Sequence, residues 1–133
     1  MSPLSQRHRR VWLLLGWGMV FSVIVLSLIP VEDVDLGEGR DKIAHLVAYG
    51  SLAFWFALLF KGRARQLGIA IAFAAMGVAI EFLQGMTDYR SFEVADMVAN
   101  AVGAALGWGL AQTPLGNALD WAERLLSGLT QKP

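Results

Sequence analysis

Eight polar side chains stand near the ends of hydrophobic segments, at spacings that could support binding or proton transfer. They form three short strips and one arginine in a turn: Asp41, Lys42 and His45; Glu81 and Gln84; Asp96 and Asn100; and Arg90. Within each strip, residues three or four positions apart share one face if the segment is helical. Carboxylates and histidine can transfer protons, whereas lysine and arginine can bind anions. We therefore take all eight as candidate binding residues, with His45, Glu81 and Asp96 as candidate catalytic residues.

The composition places these side chains in a membrane protein. Of the 133 residues, 56% are hydrophobic and 17% are charged, and the mean hydropathy is +0.50. A soluble domain carries about 25% charged residues. The 11 basic and 11 acidic residues balance, so no basic surface for nucleic acid is expected. The absence of cysteine excludes disulfides, thiolate metal sites and cysteine nucleophiles.

Four hydrophobic segments are long enough to cross a bilayer as helices, at about 11–29, 43–60, 67–86 and 94–111. The first has 19 residues without a charge, which at 1.5 Å per residue covers roughly 28 Å, close to the ~30 Å hydrocarbon core. A signal peptide is the alternative for this segment, but its apolar run is too long and no small-residue cleavage site follows. The small residues Gly103 and Gly107 in the fourth segment favour close helix packing.

Residues 112–133 predict a C-terminal amphipathic helix and tail. Thr113 and Pro114 are typical of a helix start, and leucines then recur at helical spacing opposite polar residues. The segment is too polar to span, so we expect it to lie at the membrane interface, where Trp121 is suited, or to pack on a neighbour. The predicted fold is therefore all-α: a basic tail (1–10), a four-helix polytopic membrane domain (11–111) and the amphipathic helix with its tail (112–133).

The distribution of basic residues predicts that both termini are cytoplasmic. With the N-terminus inside, the inner segments hold eight of the eleven lysines and arginines, and cytoplasmic loops are the ones enriched in these residues. The acidic loop 30–41 and the polar turn 87–93 then face outward together. All three polar strips lie at the outer ends of their helices.

These strips predict a polar pocket in the outer leaflet. A carboxylate within a span is costly, so it should face the bundle interior and find a partner. The alternative is structural, because Asp41 and Asp96 near helix starts could cap or complement the helix dipole. That alternative does not explain Glu81, which lies in the C-terminal half of its helix. A metal held by His45, Glu81 and Asp96 is not predicted because no recognised ligand motif is present, and no cofactor is expected.

An ordered set of short motifs resembles the VanZ-like family of small bacterial membrane proteins. The motifs are Asp41-Lys42-Ile43-Ala44-His45, Glu81-Phe82-Leu83-Gln84, Arg90-Ser91-Phe92, and Asp96 with Asn100, Gly103 and Gly107. The resemblance runs from about Asp41 to Gly109, and it departs before Arg90, where Asp88-Tyr89 replace the Pro or Gly that members often carry. It implies a multi-pass protein of the bacterial inner membrane. Because the namesake of the family is associated with teicoplanin resistance, it also implies a link to the cell envelope and to antibiotic resistance. No settled activity comes with the name.

Three function classes follow from the residues and the resemblance. In the first, the pocket binds a membrane lipid or lipid-linked envelope precursor, with Lys42 and Arg90 meeting anionic head groups. In the second, a membrane enzyme acts on a lipid-linked substrate, with Glu81 or Asp96 as general base, His45 as acid or base and Arg90 stabilising charge. A transporter is the third class, but it needs polar groups near the midplane and access from both sides. An oligomer is compatible with all three.

Overall fold

The computed structural model describes residues 6–30 and 39–130, whose regular elements are all helices, with no β-strand. The helices are α1 (Gln6–Leu28), α2 (Arg40–Leu59), α3 (Arg63–Gly85), α4 (Val94–Ala111) and α5 (Ala118–Thr130), with a 3-10 helix at Pro114–Asn117 before α5. The first four are long and apolar enough to cross a membrane. This confirms the predicted all-α fold with four spans and a C-terminal helix. The acidic residues of the first predicted loop, 31–38, lie outside the described residues.

Two helix starts depend on glycines in conformations that other residues rarely adopt. Gly39 precedes α2 with φ 86°, and Gly62 precedes α3 with φ 107°. Glycine has no Cβ and accepts positive φ without steric cost. Gly39 therefore takes the position before α2 that a capping side chain could have taken, and it places Asp41 within the first turn. Helix α1 begins at Gln6, within the segment 1–10 that the sequence predicted to be a basic tail.

Helices α2 and α4 form the closest pair in the bundle because their facing positions are glycines. A Cβ added at Gly103 would meet the backbone of Leu46, and one added at Gly107 would meet the backbone of Gly50. The small residues thus allow direct backbone approach, as their spacing in the sequence predicted. This close pairing brings the start of α4 next to the start of α2, where the polar residues lie.

Helix α5 packs on the bundle through both apolar and polar side chains, since Leu119 is buried against Leu58 and Leu59 of α2. The Glu123 carboxylate accepts hydrogen bonds from the His8 ring (2.8 Å) and from Trp12 Nε1 (3.2 Å). Trp121 and Leu125 are exposed on the outer side. An exposed apolar face beside a membrane bundle suits an interfacial helix.

Candidate functional site

The Lys42 ammonium joins the start of α2 to the start of α4. It donates to the carboxylates of Asp41 (3.0 Å), Glu93 (2.8 Å) and Asp96 (2.9 Å). The side chains of Asp41 and Glu93 are 47% and 43% exposed, whereas that of Asp96 is 11% exposed. The group therefore has two acids at its surface and one beneath them, and a single lysine serves all three.

His45 lies one helical turn deeper and connects Asp96 to Asn100. One ring nitrogen, Nδ1, lies 3.0 Å from Asn100 Oδ1, and the other, Nε2, lies 3.4 Å from Asp96 Oδ2. Asn100 is almost completely buried. A doubly protonated ring can donate to both oxygens. Asp96 consequently interacts with both Lys42 and His45, and its position is fixed from two sides.

Glu81 of α3 completes the arrangement from below. Its carboxylate is buried in the bundle, and Oε1 accepts a hydrogen bond from the backbone N–H of Glu93 at 2.6 Å. Glu81 thus faces the interior and has a polar partner, as expected for a carboxylate within a span. Its second oxygen, Oε2, has no hydrogen-bond partner among the described residues, and neither does the buried hydroxyl of Tyr49. We call Asp41, Lys42, His45, Glu81, Glu93, Asp96 and Asn100 the polar cluster.

The polar cluster carries an excess of acidic groups. The cluster holds four carboxylates, of which those of Asp41, Glu93 and Asp96 contact the Lys42 ammonium and that of Glu81 lies deeper. Besides Lys42, His45 is the cluster side chain that can become positive. Like charges at this separation repel one another strongly in a partly buried setting. The cluster therefore disfavours an added anion and favours a group that supplies hydrogen-bond donors or positive charge.

Glu93 lies outside the spans, immediately before α4, and its titration reflects its contact with Lys42. The Lys42 ammonium beside Glu93 holds the pKa of that carboxyl below its ordinary value of 4.5. A lowered pKa in the folded state stabilises the fold at pH above the ordinary value, and this contribution is lost as the pH falls through the lowered pKa.

We expect the Glu93→Gln variant to lose less thermal stability on acidification than the wild type does. Glutamine cannot titrate, so the part of the acid sensitivity that comes from Glu93 disappears. Melting temperatures in detergent between about pH 6 and about pH 3, a range that includes values below 4.5, would measure this difference. Asp88, an exposed acid in the same turn that makes no contact with Lys42, provides the control as Asp88→Asn. Equal acid sensitivity in the wild type and Glu93→Gln would refute the assignment.

Gln84, Tyr89 and Arg90 form a second group, which holds the C-terminal end of α1. Gln84 Nε2 donates to the Ser27 carbonyl (2.8 Å), the Tyr89 hydroxyl donates to the Leu28 carbonyl (2.7 Å), and Arg90 Nη2 donates to the carbonyls of Leu26 (3.2 Å) and Ile29 (3.5 Å). The last carbonyls of a helix have no partner within it. These three side chains supply partners, and we call them the α1 clamp.

The structure thus divides the eight predicted residues between two places. Six lie in the polar cluster, whereas Gln84 and Arg90 belong to the α1 clamp. Arg90 therefore does not join the other predicted binding residues in one pocket. The reason is that the backbone carbonyls of α1 end at the same depth and accept from Arg90 directly.

Comparison with known families agrees with this architecture. The sequence profile of the VanZ/LLP1 family matches residues 4–115, which include all four spans. The chain belongs to the VanZ/LLP1 family. A protein of Schizosaccharomyces pombe described as uncharacterised is 35% identical over 70 residues, covering 50% of this chain and 43% of the relative. The match therefore spans less than half of that relative's length. No solved structure matches the chain.

In this VanZ/LLP1 protein, the sequence did not predict three residues that belong to the two groups or lie beside them, namely Glu93, Tyr49 and Tyr89. Glu93 could have been found, because it precedes Asp96 by three positions and therefore lies on the same face. Tyr49 follows His45 by four positions and shares its face for the same reason. Tyr89 carries no such signal, because its partner is a backbone carbonyl on another helix.

The three carboxylates around Lys42 also have the spacing of a cation site. One ligand atom from each of Asp41, Glu93 and Asp96 lies within 4.8 Å of the others. In the VanZ/LLP1 protein the Lys42 ammonium lies among these atoms, within 3.0 Å of all three carboxylates. The lysine therefore provides the positive charge that a metal cation provides in a carboxylate metal site.

Proposed function

We propose that this VanZ/LLP1 membrane protein binds the head group of a membrane lipid or lipid-linked envelope component at the polar cluster. One observation carries the proposal. Asp41 and Glu93 are half exposed at the surface, directly above the buried Asp96. A purely structural ion-pair network has no need for two partly exposed carboxylates around one lysine, whereas a head-group site uses them to contact its ligand. On the predicted topology, the cluster opens to the outer leaflet of a bacterial inner membrane.

The charges of the cluster indicate which head groups fit. Lys42 is already shared by three carboxylates, and Arg90 Nη2 donates to carbonyls of α1. The two cations are held by different groups, so we do not expect them to meet at one phosphate as the sequence suggested. The acidic excess instead favours a head group with an amine, hydroxyl or amide that can donate to carboxylates. An ammonium group, as in phosphatidylethanolamine, is the simplest ligand with these properties.

A groove between α1 and α2 supports lateral entry from the bilayer. Its volume is about 200 Å³, and its lining includes Leu26 and Ser27 from α1 and Ala44, His45 and Tyr49 from α2. His45 thus belongs both to this groove and to the polar cluster. A lipid chain lying in the groove would bring its head group to the level of Asp41 and Lys42.

The proposal predicts that phosphatidylethanolamine raises the melting temperature in detergent and that this increase depends on Asp41 and Glu93. A ligand that binds only the folded state stabilises it by an amount that grows with the logarithm of the ligand concentration divided by Kd. Asp41→Asn and Glu93→Gln should each weaken the apparent affinity for phosphatidylethanolamine about tenfold, because a charge-assisted hydrogen bond is lost. Asp88→Asn, which removes an exposed acid at the same end of the bundle, should leave the affinity unchanged. A stabilisation by phosphatidylethanolamine that Asp41→Asn and Glu93→Gln leave unchanged would contradict the proposal.

General acid–base catalysis on a lipid-linked substrate is the second candidate, and the contact between His45 and Asp96 favours it. A carboxylate that orients a histidine is a common arrangement for proton transfer. The His45→Gln variant distinguishes binding alone from catalysis. Under the catalytic proposal, this variant still binds lipid but no longer forms product. Either function would act on the envelope, so altered susceptibility to a glycopeptide such as teicoplanin is the phenotype we propose to follow.

A further inference from the structure

An apolar groove of about 500 Å³ lies between α1 and α3, at the end of the bundle opposite the polar cluster. Its walls include Trp17 of α1, Phe56 of α2 and Phe73 of α3. Arg65 is its one charged lining residue within the described part of the chain. The volume falls within the range of about 300–1,000 Å³ that is typical of small-ligand sites.

The length of this groove matches the depth of one membrane leaflet. Along α3 it extends from Arg65, near the helix start, to Met76. At 1.5 Å per residue these eleven positions cover about 16 Å, and half of the ~30 Å hydrocarbon core is about 15 Å. The groove thus begins at the membrane surface and ends near the middle of the bilayer, as a site for one acyl chain must.

The surface end of the groove is positively charged. Arg65 makes no ion pair with the residues that the structure describes, and the Arg9 guanidinium lies 5.5 Å from the ring centre of Phe60, another lining residue. The acids nearest this end are engaged elsewhere, since Glu123 accepts from His8 and Asp120 lies 3.4 Å from Lys61. Two guanidinium groups next to an apolar groove match a phosphate joined to a hydrocarbon chain.

We infer that the α1–α3 groove binds one acyl chain of an anionic phospholipid, with its phosphate held by Arg65 and Arg9. This is a second lipid site, at the opposite end of the bundle from the polar cluster and with the opposite charge preference. On the predicted topology it faces the inner leaflet, where anionic lipids concentrate. It does not depend on the function proposed for the polar cluster.

Trp17 provides a reporter for the test. The protein is placed in nanodiscs of phosphatidylcholine that contain increasing fractions of a phospholipid brominated in its acyl chains, either phosphatidylglycerol or phosphatidylcholine. Bromine quenches tryptophan at short range, and subtraction of the Trp17→Phe signal isolates Trp17. We expect brominated phosphatidylglycerol to reach half-quenching at about a tenfold lower mole fraction than brominated phosphatidylcholine, because charge-assisted contacts to the phosphoglycerol group distinguish them.

Variants separate a site from general surface attraction. Arg65→Gln and Arg9→Gln should each remove most of the preference for phosphatidylglycerol, and size-exclusion profiles confirm that each variant is folded. Arg10, which is exposed next to Arg9 and does not line the groove, gives the matched control as Arg10→Gln. The inference is overturned if both lipids quench Trp17 equally in the wild type, or if Arg10→Gln reduces the preference as much as Arg65→Gln. A dimer whose Trp17 is quenched by neither lipid would also overturn it, because a second copy would then fill the groove.

Discussion

Replacing Asp96 with alanine should destabilise the protein more than any other single change in the polar cluster, by about 3–5 kcal/mol. Asp96 is the buried acid that contacts both Lys42 and His45. Its removal leaves Lys42 and His45 without the carboxylate that they share. Without that carboxylate, His45 is also held less firmly against Asn100. Equilibrium unfolding in detergent measures this loss.

The control for Asp96→Ala is Asp41→Ala. Asp41 contacts the same lysine, but its side chain is 47% exposed and water can replace it. Exposed ion pairs contribute about 0–1 kcal/mol, so this variant should unfold near the wild-type midpoint. If both variants were equally stable, Asp96 would not be the residue that joins α2 to α4 through Lys42 and His45.

Replacing Arg90 with alanine should abolish the envelope phenotype while costing only about 1 kcal/mol of stability. Arg90 donates to the carbonyls of Leu26 and Ile29 near the surface, where water can take over as donor. However, those carbonyls belong to the end of α1 that forms one wall of the groove leading to His45. Without Arg90, the C-terminal end of α1 moves and the α1–α2 groove loses its shape. We therefore expect ligand binding to be lost while the protein still folds.

Arg40→Ala is the matched control for Arg90. Arg40 is an exposed arginine at the same end of the bundle, and it is not part of the α1 clamp. Susceptibility to a glycopeptide, membrane expression and melting temperature should be compared in cells and in detergent. We expect Arg90→Ala to resemble a strain without the gene and Arg40→Ala to resemble the wild type. An Arg90→Ala protein with a full phenotype would remove the α1 clamp from the functional account.

The spans and most of the polar cluster were predictable because they depend on properties local to each helix. Segment length and apolar content identify a span, and the spacing of three or four residues identifies the face on which Asp96 and Asn100 lie. The interior position of Glu81 follows from the cost of a carboxylate in hydrocarbon. No knowledge of neighbouring helices is needed for these steps.

The separation between the polar cluster and the α1 clamp could not be predicted in this way. Arg90 could contact either carboxylates near α4 or backbone carbonyls of α1. Which of them it contacts depends on the position of the C-terminal end of α1. Backbone carbonyls are present in every sequence and leave no pattern. The same limit applies to the acidic excess of the cluster, because it appears only when Glu93 is placed beside Lys42 and Arg90 is placed elsewhere.

The most direct test of the central claim is to locate a lipid on the protein. A phosphatidylethanolamine with a photoreactive diazirine close to its head group can be cross-linked in membranes, and the modified residues can be identified by mass spectrometry. We predict adducts concentrated on the α1–α2 groove, at Leu26, Ser27, Ala44 and nearby positions, with unlabelled phosphatidylethanolamine competing and phosphatidylglycerol not. Adduct yield should fall about tenfold in the Asp41→Asn variant. Adducts spread evenly over the four spans, with no effect of Asp41→Asn, would contradict the claim that the polar cluster is a head-group site.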